Sequence, residues 1–306
     1  MLSNSFRPWQ WTMRERRDFA RGLIFILPWL VGFLLFLAYP IAASLYYSFT
    51  DYDVLSRSAH LVGLDNYRRL LFGDEYIGKV LYNTIYYVIF GVPAGLVTAF
   101  LLAVLLNADL RMRSLFRTLF YVPAVVPAVA TTMVWLWIFN VQYGVINAFL
   151  ASLGFRAIPF LSSQELVKPS LILIHCWASG ATMVIFLAAL QDVPRSLYDA
   201  ATVDGANAWH RFWHVTVSMC TSVILFSLLT GMIGAFQYFT FAWILTNGGP
   251  NRASEFYAMH LYRQAFIYLR MGYASAMAWA LFLIVVVVTI ILYRSSARWV
   301  YYGGEG

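Results

Sequence analysis

GLIFILPWLVGFLLFLAYPIAASLYYSF, residues 22–49, holds no charged side chain. It exceeds the roughly 20 apolar residues that cross a bilayer core. Five more stretches qualify: residues 80–106, 119–139, 170–190, 215–239 and 273–293. Backbone amides in lipid must be satisfied within their own segment, so these read as helices. A membrane barrel would instead show short alternating strands, and that pattern is absent. The expected fold class is all-α, a polytopic membrane protein with six transmembrane helices.

Composition agrees. Hydrophobic residues make up 61% and charged residues 11%, against roughly 25% charged in a soluble domain. Basic residues retained on the cytosolic face set the orientation. Arg7, Arg14, Arg16, Arg17 and Arg21 precede the first segment. With six crossings, Arg111, Arg113, Arg117, Arg195, Arg211, Arg294 and Arg298 share their side, while Arg68, Arg69, Arg263 and Arg270 oppose it. The division is a cytosolic segment at 1–21, a six-helix transmembrane domain at 22–294 and a cytosolic tail at 295–306. The net charge of +7 then reads as topology and contact with anionic headgroups of the bilayer, not nucleic-acid binding. Trp9, Trp11, Trp299, Tyr301 and Tyr302 suit an interfacial belt. A cleaved signal peptide is not expected, because the first segment is too long. Cys176 and Cys220 fall near or in hydrophobic segments and give no disulfide framework.

Most candidate chemistries fail on spacing. Residues 73–80, GDEYIGKV, approach a phosphate-binding loop but lack its final hydroxyl, and Asp74 and Glu75 would repel phosphate. A plain loop explains them. His210 and His214 stand four apart without a catalytic glutamate or a third ligand nearby, so no metal is expected. No paired-carboxylate or serine–histidine–acid arrangement stands out. Gly91 and Gly95 form a GxxxG around Pro93, a signature of close helix packing. His175 is the one ionisable group in the fourth segment, placed to line a path or to pack.

Between the fourth and fifth segments lies a polar island, residues 197–213, LYDAATVDGANAWHRFW. Ser196 with Asp199 resembles a capping box that starts a helix. Gly205 suits the left-handed residue that ends it, and Asn207 suits the cap of the next. Small Ala200 and Ala201 beside Leu197 would allow close approach by a partner. The reading is a helix–turn–helix knob spanning residues 194–213, built to be gripped.

Asp199-Ala200-Ala201-Thr202-Val203-Asp204-Gly205-Ala206 resembles the EAA loop of permease subunits in binding-protein-dependent ABC importers, with aspartate for glutamate. Further matches point to the carbohydrate branch. They are Val62-Gly63-Leu64-Asp65-Asn66-Tyr67, Asn83-Thr84, Phe116-Arg117-Thr118 with Pro123 and Pro127, Trp135 to Asn147, Thr246-Asn247-Gly248-Gly249-Pro250 and Tyr273-Ala274-Ser275-Ala276. In order, they cover the chain from Gly22 to Tyr293. The prolines usual after the loop are missing from Val215-Thr216-Val217-Ser218, which predicts a straighter start to the fifth helix.

The resemblance implies a type I importer permease in the bacterial inner membrane, with both termini cytosolic. Its partners would be a second homologous permease, a dimeric cytosolic ATPase and an extracytoplasmic solute-binding protein. ATP and magnesium would bind the ATPase, leaving no cofactor and no catalysis on this chain. Leu197, Tyr198, Asp199, Ala200, Ala201, Asp204, Gly205 and Ala206 would form the coupling loop. His175, Trp177, Ser179, Thr182, Gln237 and Tyr238 match the segments that line the path in sugar importers. A glycerol-phosphate or polyol substrate is the alternative within the family. A secondary transporter is the alternative outside it, but no mid-membrane acid for a coupling ion is visible.

Overall fold

The computed structural model describes residues 13–55, 58–109 and 111–301. Arg7, Trp9, Trp11, Tyr302 and the side chain of Arg16 lie outside the described residues.

Six spans form where hydropathy places them. Three are continuous, at Arg17–Ser48, Ile77–Asn107 and Met271–Ser296. Three are bent pairs: Arg113–Val125 with Ala128–Ile138 at 101°, Val167–Trp177 with Gly180–Gln191 at 47°, and Ala208–Val217 with Thr221–Phe236 at 64°. Among the described residues the β contact is a single Thr50–Leu61 bridge. The all-α expectation holds.

Each break has a local cause. Val126 precedes Pro127 and sits at ψ 131°, where the proline ring pushes its neighbour out of the helical region. At the second break, a Cβ on Gly180 would collide with the Phe120 carbonyl, so the missing side chain lets the third and fourth spans touch. The third break corrects the expectation of a straighter fifth helix, since 64° of bend appears without proline. Hydroxyls replace it: Ser218 Oγ donates to the Trp213 carbonyl at 3.1 Å, and Thr221 Oγ1 to the Ser218 carbonyl at 2.7 Å. Such bonds compete with the backbone ladder and bend helices.

The second span is the packing centre. It lies most extensively against Gly180–Gln191 and also touches the fifth span. Gly91, Gly95, Ala99 and Ala103 recur every fourth residue along it, and Ala99 and Ala103 are fully buried. Small residues at that spacing let backbones approach, and in lipid that contact rather than water exclusion holds helices together. Phe100, Leu106, Met183, Phe186, Leu190 and Cys220 fill one cluster around this seam. The first span instead leaves the apolar window of its helix unburied. Only its far part, Tyr39–Ser48, packs on the sixth span.

Candidate functional site

The polar island folds as a helix, a tight reversal and a second helix. The first helix is Arg195–Val203, and its N-cap is Pro194 with no side-chain bond. Ser196 therefore lies inside the helix, which corrects its reading as the cap. The preceding Pro194 already holds the extended geometry a cap requires. The helix ends as the glycine foretold. Gly205 sits at φ +80°, its N–H bonds the Thr202 carbonyl at 3.1 Å, and Ala206 N–H bonds the Ala201 carbonyl at 2.9 Å. This pair of bonds is the Schellman closure. Asn207 caps the next helix, accepting from His210 N–H at 2.9 Å. His214 Nδ1 lies 3.0 Å from the His210 carbonyl, and the two imidazoles stack at 5.7 Å.

Two bonds fix the knob to the fifth span. Tyr198 OH meets Thr216 Oγ1 at 3.0 Å, and Arg211 donates to Thr202 Oγ1 at 2.8 Å. Asp199, Ala200, Asp204 and Gly205 stay exposed, Leu197 is largely so, and Ala201 and Ala206 are half-buried. Val203, at 88%, is the most exposed large apolar side chain among the described residues.

The path candidates separate into groups. Tyr87 gathers two of them: its ring lies 4.2 Å from Tyr238 and 5.8 Å, edge-on, from His175. Trp177 packs edge-on against Trp135 at 5.5 Å. Ser179 lies at the bend in the fourth span with its Oγ buried and unpartnered. Thr182 follows on the next helix, and Gln237 is exposed at the end of the fifth. Tyr87 and Trp135 were missed because they lie on the second and third spans, away from the loop-flanking segments searched. A Cβ on Gly95 would collide with the His175 ring, so the GxxxG glycine makes room for this histidine. A groove of about 800 Å³ is walled by residues such as Leu96, Phe100, Trp209 and Phe212. It is too apolar to orient a sugar, which needs convergent hydrogen-bond groups.

At the opposite end stands a charged cluster that the sequence reading did not find. His260 Nε2 lies 2.9 Å from Asp74 Oδ2, and its Nδ1 lies 3.2 Å from Glu255 Oε1. Arg252 and Arg263 reach Glu255 at 3.1 and 3.4 Å, and Tyr273 OH donates to Asp74 at 2.6 Å. His260 and Glu255 are each 1% exposed. Asp74 stands in the loop leading into the second span, as expected, and with Glu255 it flanks the two nitrogens of His260. Asp74 lies 186 positions from His260, whereas Glu255 stands five before it. Burial alone would lower the His260 pKa, but its hydrogen bonds to Glu255 and Asp74 and their charges outweigh burial and raise it. Burial would raise Asp74, yet Tyr273 and His260 draw it below its ordinary value. Glu255 is lowered in the same way, by His260, Arg252 and Arg263 acting against its burial.

Residues 91–300 match the family described as binding-protein-dependent transport system inner membrane component. The probable ABC transporter permease protein YesP of Bacillus subtilis (strain 168) is 40% identical over 94% of both chains. The arabinooligosaccharides transport system permease protein AraP of the same strain is 30% identical over 94% of this chain and 91% of its own. Among solved structures, a chain of a bacterial alginate ABC transporter, in complex with alginate pentasaccharide-bound periplasmic protein, superposes with TM-score 0.78. That match is 21% identical over 92% of this chain and 96% of the other, so it bears on the fold. With two-thirds of its length inside the family's bounds and a relative matched nearly end to end, the chain belongs to the inner membrane components of binding-protein-dependent transport systems.

Proposed function

We propose that this chain is one of two permease subunits that import a carbohydrate. A separate ATPase dimer, holding ATP and magnesium, grips residues 194–213 from the cytosol, where both termini also lie. The observation that carries this reading is the knob itself. Val203, Asp204 and Gly205 project as an exposed tip, while Tyr198 and Arg211 lash the base to the fifth span. A push on the tip therefore reaches a membrane helix through short, directional bonds. Leu197, Asp199, Ala200, Ala201 and Ala206 complete the gripped surface. An extracytoplasmic solute-binding protein delivers the substrate to the opposite end.

A sugar suits the path better than a phosphate-bearing polyol. His175, Trp177, Ser179, Thr182, Gln237 and Tyr238 supply aromatic faces and neutral hydrogen-bond groups, with His175 the one group among them able to carry positive charge. Aromatic rings cover the apolar faces of sugars, and a few polar groups set their orientation. The relative AraP is named for arabinooligosaccharides, which supports the same class.

The test is Gly205→Asp and Ala201→Asp in the assembled transporter. Both variants should reach the membrane at normal levels, yet lose substrate uptake and the stimulation of ATP hydrolysis by loaded binding protein. Normal uptake by both would remove the coupling assignment.

A further inference from the structure

A cavity of about 520 Å³ opens at the coupling end of the bundle, among Asn107, Asp109, Arg113, Arg117, Arg195 and Tyr198. Three guanidiniums face it against one carboxylate. None of the three has a carboxylate partner among the described residues. Arg113 is held in place by its Nε bond to the Leu106 carbonyl at 2.8 Å. Arg117 reaches that carbonyl only at 3.5 Å, and its Nε is buried without a partner. The rest of the Arg117 side chain is half-buried, and a buried N–H left unpaired is costly unless something fills its place. Two helices also begin at this cavity, at Arg113 and Arg195. Their free N–H groups and positive dipole ends add to the field.

We propose that this cavity is a phosphate-binding site, taking a phosphate ester of an anionic lipid headgroup or a free phosphate anion. Guanidinium forks match phosphate oxygens in paired bonds. The position suits a headgroup, because Leu106 and Leu190 close the second and fourth spans beside it. An occupant bridging Arg117 and Arg195 ties the base of the coupling helix to the third span. The exposed tip at Val203 stands eight residues further along, about 12 Å away, so the site lies at the base of the gripped segment and away from its tip.

The placement on the cytosolic face rests on the proposed function, but the readout does not need transport. Native mass spectrometry of the assembled transporter, taken from phosphatidylcholine nanodiscs doped with phosphatidylglycerol, counts the anionic lipid it retains. Arg117→Gln and Arg195→Gln should each weaken retention about tenfold, the effect of one lost charged hydrogen bond. Arg195→Lys should keep most of it. Added inorganic phosphate that displaces the lipid would show that the free anion also fits. Retention insensitive to phosphate would assign the site to the headgroup. Equal phosphatidylglycerol retention by wild type and both glutamine variants, with no phosphate bound, would overturn the site. So would rescue of Arg195→Glu by a reversed charge on the ATPase, since the partner would then be protein. Loss of uptake in Gly205→Asp with lipid retention unchanged separates the two readings.

Discussion

Two glycines carry separable tasks. Gly205 is required by its backbone, because an added Cβ meets nothing within 4 Å while φ is +80°. An L-residue held there pays roughly 1–2 kcal/mol. Asparagine tolerates this conformation better than alanine does. Uptake should therefore rank Gly205 above Gly205→Asn and that above Gly205→Ala, measured at matched expression. Equal loss in both would place the requirement in a contact instead. Gly95 is required by space, since its neighbour is the His175 ring. Gly95→Ala should destabilise the transporter by about 1–3 kcal/mol through overpacking. His175→Ala should recover much of that in the double variant, read as the Tm of the assembled complex. Strictly additive effects would show that the two residues do not touch.

Helices bend here where side chains offer the backbone another partner. Ser218 and Thr221 perform at the fifth span what a proline performs at the third. Hydropathy located all six spans, because lipid burial demands length and apolarity whatever the angle. It missed the 101° and 64° bends, because angle depends on which hydroxyl or ring finds a carbonyl. The knob was legible for a related reason. Gly205 and Asn207 act on their own neighbours, and local chemistry can be read locally. Tyr87 meets Tyr238, and Asp74 meets His260, across more than a hundred residues, and such contacts left no spacing to read. Three asparagines of the motifs outside the loop prove to be lashings. Asn66 donates to the Ser48 and Thr50 carbonyls, Asn83 to those of Arg252 and Glu255, and Asn147 to those of Asn140 and Ile158. At the knob, Tyr198→Phe removes a single hydroxyl bond worth about 0.5–1.5 kcal/mol. It should lower the stimulation of ATP hydrolysis while leaving ATPase binding unchanged in a pull-down. Lost binding would mean that Tyr198 touches the motor directly.

The two ends of the molecule differ in chemistry. The end that carries the knob is exposed and held by a few bonds. The far end is locked by buried charge. His260 joins the loop at Asp74 to the segment at Glu255, and Tyr273 brings in the sixth span. The pH dependence follows from the directions of the shifts. The raised His260 pKa gives stabilisation that is complete below the ordinary histidine value and is lost as pH rises through the folded value. The lowered Asp74 and Glu255 values give stabilisation present above the ordinary carboxylate range and lost as pH falls through their folded values. The lock is therefore strongest between those limits and weakens as pH rises through the raised folded value of His260, where the imidazolium discharges between two carboxylates. The Tm of the assembled transporter should fall as pH rises from the ordinary histidine range through that value. His260→Gln should start lower and show a much flatter profile across the same range. A wild-type profile that stays flat there, or a variant that keeps the full slope, would place the charge-dependent contact elsewhere.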